Sequence, residues 1–293
     1  MNQSSFQYNQ DTLRNLGFGE EIAKELHTKM DQHLSEFTLN HKRQFGKDVV
    51  ESVLHFSKGD DLQKDITFFN RFDATLKKEG MENLTQSFYI GQKFNYTLQE
   101  RYNMMDGRAA YREQPKMIPE EQPDGKVKMV PTGETYFAWR SLNFKEADAY
   151  GNFNPKVVFW DHEKELQKYP IKNIDEKYDR ARIIRPLEKG NRVTVTLVRD
   201  GQETQAQVVA NPRMMRLDFY DDKGQSLVVR QVEKQAVSQS QKADMTPQEV
   251  QKAAIARAAE QKQENKPVQG QSAASEAGNK QNQGNRRRQG VNI

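Results

Sequence analysis

From Arg185 to Arg230, apolar and polar residues alternate between turn signals, the period of strands that bury one face. Val193, Val195 and Leu197 lie two apart, Asp200-Gly201 is a favoured two-residue hairpin turn, and Ala206, Val208 and Ala210 carry the alternation back. After the break at Asn211-Pro212, Leu217 and Phe219 continue it, and DDKGQ turns the chain toward Leu227 and Val229. The pattern predicts four short antiparallel strands.

Upstream, the period changes twice. Residues 8–34 read as two helices broken at Gly17-Phe18-Gly19, with Ile22, Leu26, Met30 and Leu34 forming one apolar face of the second. From Glu36 to Lys77 the strands FTLNHK, DVVESVLHFSK and ITFFNRFDATL follow, then SFYI at 87–90. Val50, Ser52, Leu54 and Phe56 should share one face of the second of these strands, with Val49, Glu51, Val53 and His55 on the other. Thr97 with Glu100 has capping-box spacing, and Gly107 closes the helix it starts, whose Leu98, Tyr102 and Met105 share a face. The four prolines between residues 113 and 133 predict a long exposed loop. TYFAWRSLNF and NPKVVFW flank the turn DAYGN as a hairpin. Short helices near Glu163–Lys168 and Glu176–Arg185 then lead into the last sheet.

After Gln231 the chain is rich in Gln, Ala, Ser and Asn, and no strand pattern survives. This composition predicts a disordered tail over residues 231–293, interrupted by a capped helix at 247–264. Apolar residues make up only 35% of the whole chain, in keeping with an unfolded portion. The formal +4 charge lies in that tail, because Lys and Arg balance Asp and Glu up to residue 230. A neutral body argues against a DNA-wrapping face and leaves room for a local basic patch.

Without cysteine there is no disulfide framework, thiolate nucleophile or Cys-ligated zinc. The N-terminal stretch lacks a signal-peptide core, and no apolar run suits a membrane span, so the expectation is a cytoplasmic protein without membrane contact. His27, His33, His41, His55 and His162 are scattered without ligand spacing. Asp218, Asp221 and Asp222 read as turn residues, and Asp161-His162-Glu163 as a helix start where acids complement the dipole. Neither a P-loop nor a nucleophile elbow occurs, and no cofactor, metal or catalytic set is expected. Aromatics interleave with arginine in FFNRF and TYFAWR. Arg71, Trp139 and Arg140, with Phe69 and Tyr136, are therefore candidates for a stacking platform, although strand alternation turns half of them inward. Arg286, Arg287 and Arg288 are candidate phosphate contacts in the tail.

Two parts of the chain echo each other. Met104, Gly107 and Ala110 are spaced like Leu187, Gly190 and Val193, and Gly133, Ala138 and Asn143 like Gly201, Ala206 and Asn211. The echo suggests two helix-plus-hairpin modules, at 97–160 and 175–230; two ordinary helix-to-hairpin junctions are the alternative. FFNRFDATLK, DGRA and GNRVTVTLVRDG also resemble an uncharacterised family of Bacteroidota proteins over roughly Phe37 to Tyr220. That resemblance implies a setting in conjugative and other mobile elements, with related repeats appended to some topoisomerases; it brings no catalytic residues.

The sequence thus predicts an α+β protein: an N-terminal helical segment at 1–34, a mainly antiparallel body at 35–230 and the tail. The expected function is a non-enzymatic accessory or adaptor protein of a mobile genetic element. Its partner would be a protein of a DNA-processing system, or nucleic acid reached through the basic tail. An enzyme of unrecognised class acting on nucleic acid is the alternative. Limited proteolysis should trim the chain to about residue 230, because the tail buries too little apolar surface to offset its entropy; cleavage within the body at the same rate would contradict this.

Overall fold

Alternation and turn chemistry organise the chain into three antiparallel sheets, each made of strands adjacent in sequence. The computed structural model describes residues 1–59 and 65–232. The tail helix expected at 247–264 and Arg286, Arg287 and Arg288 lie outside the described residues.

Two helices open the fold, α1 (Gln3–Leu16) and α2 (Ile22–Asp31). The Asn2 side chain caps the first at Ser5 N, and Gly17 ends it at φ 86°, a left-handed conformation that glycine adopts without a Cβ clash. Ile22, Leu26 and Met30 are buried as their spacing predicts, but Leu34 is exposed because the helix stops at Asp31 and His33 turns the chain at φ 53°. The first sheet follows: β1 (Glu36–Phe45), β2 (Asp48–Lys58), β3 (Thr67–Lys77) and β4 (Leu84–Tyr89). Val50, Ser52, Leu54 and Phe56 point inward as the alternation requires. They meet a core in which Phe18, Phe37, Phe56, Phe69, Phe72 and Phe88 interlock. Each such burial contributes about 1.5–3 kcal/mol. Asn9 ties α1 to β3, donating to the Thr67 carbonyl at 2.9 Å.

Next come α3 (Leu98–Met105), with the reciprocal Thr97–Glu100 capping box in place, and β5 (Ala110–Glu121), β6 (Val127–Ala147) and β7 (Phe153–Val158). The loop expected at 113–133 is instead a hairpin arm: Ile118 pairs with Val130 and Glu120 with Lys128. Proline is tolerated because the arm has only two strands there. β7 pairs with β6 only from Trp139 onward, so Pro115, Pro119 and Pro131 sit on edge strands, Pro115 and Pro131 beside a register shift. Composition correctly excluded a central strand; it did not exclude an edge.

The chain then forms α4 (His162–Leu166), α5 (Lys177–Glu188), β8 (Val193–Arg199), β9 (Gln202–Asn211), a 3-10 turn at Pro212–Met214, β10 (Arg216–Tyr220) and β11 (Ser226–Leu227). Val193, Val195, Leu197, Ala206, Val208 and Ala210 fill a second core with Trp139, Trp160, Ile183, Ile184 and Leu187.

The echo extends to strand register. Ala110 pairs with Arg140 and Arg112 with Ala138; at the equivalent positions Val193 pairs with Val208 and Val195 with Ala206. In both modules the middle strand then pairs with a third, β7 or β10. The glycines that follow the helices share the left-handed conformation, Gly107 at φ 82° and Gly190 at φ 79°, but differ in surroundings. A Cβ on Gly107 meets nothing, whereas one on Gly190 collides with the Ala109 carbonyl oxygen. Around that contact Asn103 Nδ2 donates to the Lys189 carbonyl at 2.6 Å, and Arg108 Nη1 to the Gly190 carbonyl at 2.8 Å. Gly107→Ala should therefore cost about 1–2 kcal/mol, the left-handed penalty alone. Gly190→Ala should cost distinctly more in chemical denaturation, since backbone must also move; equal losses would mean the junction relaxes freely.

Candidate nucleic-acid interface

Between β6–β7 of the middle sheet and β9–β10 of the last lies a cleft of about 670 Å³. Its two acids are already engaged. Asp106 pairs with Lys78 and, at 2.8 Å, with Arg108; Asp218 accepts from Arg216 at 2.8 Å and from Asn211 at 2.6 Å. Four further cations line it, Lys145, Lys156, Arg192 and Arg213, all exposed and none within ion-pair distance of a carboxylate among the described residues. The local field is therefore positive although the body as a whole is neutral. Rings and a thioether lie among these charges. The Arg192 guanidinium sits 5.0 Å over Tyr220, Phe144 is partly exposed and packs edge-on against Phe153, and Met214 is exposed.

Two of the cations hold corresponding sequence positions in different local structure, Lys145 within β6 and Arg213 in the 3-10 turn at Pro212–Met214. Asn143 Oδ1 accepts from Lys145 N, and Asn211 Oδ1 from Met214 N, each at 3.3 Å. Lys145 and Arg213 each follow these echoed asparagines by two residues, one per module. That correspondence was the available sequence signal; single exposed cations otherwise look like ordinary surface.

The residues selected from sequence are not brought together. Trp139 is fully buried, packed on Trp160 and edge-on to His162, so it cannot stack on a base. Phe69 is also inside, and Tyr136 packs on Phe159. Arg71 lies on the outer face of the first sheet, paired with Asp73. Arg140 points away from Trp139 and lines a different pocket. The Arg71–Trp139–Arg140 platform is thus not assembled.

Two clusters invite a catalytic or metal reading. On the outer face of the first sheet, Asp73 accepts from Ser87 Oγ at 2.6 Å and meets His55 Nε2 at 2.7 Å. Asp73 is the hub, so the serine bonds the carboxylate and not the imidazole; a hydrolytic triad needs the histidine in the middle. Around the start of α4, donor atoms of His162, Glu163 and Glu188 lie within 4.8 Å of one another. They could hold a divalent cation, but His162 Nε2 already bonds Glu188 at 3.0 Å beneath a lid of aromatic rings. Asp161 caps that helix at Lys164 N, and Asp221 accepts from Lys223 N and Gln225 N, the turn roles their sequence positions imply. Among the described residues, no helix is long and apolar enough to cross a membrane.

Comparison with protein families, curated proteins and solved structures found no match to this chain.

Burial raises the Asp73 pKa, but hydrogen bonds from Ser87, His55 and Arg71 outweigh it and hold the carboxyl below its ordinary range. A depressed carboxylate stabilises the fold above its unfolded value of about 3.9, and that contribution is lost as pH falls through the folded pKa. Asp73→Asn should therefore lower stability at neutral pH and show a shallower loss between about pH 4 and pH 2, measured by urea denaturation.

Proposed function

We propose that the chain is a non-enzymatic binding module whose ligand is a nucleic-acid strand lying in the cleft between the two modules. The observation that carries this reading is the set of four cations without carboxylate partners, two of them at equivalent positions, beside Phe144, Tyr220 and Met214. Cations tracking a backbone next to stacking surfaces are how single strands are held without sequence readout. The resemblance of DGRA and GNRVTVTLVRDG to proteins of mobile elements supports an accessory role in DNA processing, with Arg286, Arg287 and Arg288 of the tail adding phosphate contacts.

The test is binding of oligo-dT and oligo-rU to the full chain across a salt series. On the full chain, four cleft cations and three tail arginines in contact with a single strand give a log-log slope of about −5. The triple variant Lys145→Glu, Lys156→Glu, Arg213→Glu should flatten that slope by about 2 and weaken binding of every sequence alike. Removal of residues 265–293 should flatten it separately, by about 2 for three arginines. A triple variant that binds like the parent at low salt would overturn the cleft reading.

A further inference from the structure

On the other side of β6 is a second pocket, of about 430 Å³, bounded by β4, residues 91–96, α3 and β7, which shares only Leu142 with the cleft. Two arginines enter it, Arg101 from α3 and Arg140 from β6. Neither has a carboxylate within ion-pair distance among the described residues. The adjacent acid, Glu100, is committed elsewhere, to Arg112 at 3.0 Å and to Thr97 N at 2.7 Å. Asp148 at the rim is occupied within its own turn by Tyr150 N and Asn152 N, each at 2.9 Å.

The donors facing this pocket lack acceptors. Nε of Arg101 and of Arg140, and Oη of Tyr96, are all out of solvent with no hydrogen-bond partner. Tyr96 is 2% exposed and lines the same pocket. The Arg101 guanidinium is held in place by rings, 4.4 Å from the Phe88 centroid and 5.1 Å from that of Tyr96. Burial, reinforced by the like charge of Arg140, brings the Arg101 pKa down to about 10, and burial pushes that of Tyr96 up, so its hydroxyl remains a donor at neutral pH. Two guanidinium Nε–H donors and a phenol, out of solvent and without acceptors, form an unfavourable arrangement by themselves. An anion with several oxygens relieves it.

We infer that this pocket is a binding site for a phosphate monoester, its terminal oxygens received by Arg101, Arg140 and the Tyr96 hydroxyl. Two guanidinium charges match a dianionic terminal phosphate. Phe94, Phe153, Met104 and Leu142 supply apolar wall for the esterified group. The rim is built for rigidity: Asn95 exchanges hydrogen bonds with Gly91 N at 2.9 Å and Gly91 O at 2.7 Å, and Phe94 is held at φ 63°. The volume suits a mononucleotide-sized ester.

The experiment uses the full chain in low-chloride buffer, with thermal unfolding and calorimetric titration against inorganic phosphate, AMP and adenosine. Phosphate and AMP should raise Tm and adenosine should not. Arg140→Met should raise Tm without ligand, by removing an unpaired charge, and abolish the response to AMP. Tyr96→Phe should fold like the parent, since Oη bonds nothing, and bind AMP about tenfold more weakly. Oligonucleotides with a 5′-phosphate or a 5′-hydroxyl distinguish the source: an Arg140-dependent preference for the phosphorylated end exceeding AMP assigns a strand terminus, and its absence alongside AMP binding assigns a small ester. No response of the parent to phosphate or AMP, or an undiminished response in both variants, overturns the site. The Lys156→Glu, Arg213→Glu variant should keep its AMP response, which separates failure here from failure of the cleft.

Discussion

The close approach of Gly190 to the Ala109 carbonyl sets the distance between two halves of this protein. A helix end normally leaves carbonyls without partners. Here the end of α5 is closed by side chains from the other module, Asn103 and Arg108, so a local requirement of one helix becomes a tertiary bond between two sheets. Only glycine permits the backbones to come that near in a left-handed conformation. Ala109 and Trp139 of the middle segment consequently pack in the same core as Leu187 and Val208.

That junction also explains where charge collects. Arg108, fixed by Asp106 and the Gly190 carbonyl, forms the floor of the cleft, and the two modules place their equivalent cations, Lys145 and Arg213, on its walls. Like charges approach there because the scaffold brings the modules together, and their mutual repulsion is offset by surrounding water and counterions. On the opposite side of β6, Arg101 and Arg140 are half-buried, with Nε of each out of solvent and unpartnered. The same strand thus borders one cleft in which the unpaired cations are exposed and one in which they are half-buried.

Local patterns in the sequence were sufficient for most elements. The capping box at Thr97, the Asp200-Gly201 turn and the inward faces of β2, β8 and β9 depend on residues within a few positions of one another. What was missed depends on edges and neighbours. Pro115, Pro119 and Pro131 speak against a central strand, and only the extent of the strand pairing, with β7 joining β6 from Trp139 onward, reveals that the arm has a side without a partner. Trp139 and Arg140 are adjacent in sequence, yet one fills a core and the other a pocket, because the middle strand here is covered on both faces. The cleft cations come from four separate segments: pairing of β6 with β7 brings Lys145 near Lys156, and the module junction brings Arg192 and Arg213 to them.

The hairpin arm carries Met117, Ile118, Val127 and Met129 in solvent, an apolar ribbon with two long edges. Such a ribbon ordinarily templates the addition of strands from neighbouring molecules. Each edge of this one includes proline, which supplies no amide hydrogen to an incoming strand and disturbs its pleat. The chemistry that disguised the arm in the sequence therefore protects it in the folded protein: a greasy strand pair can stand clear of the body without nucleating a fibril.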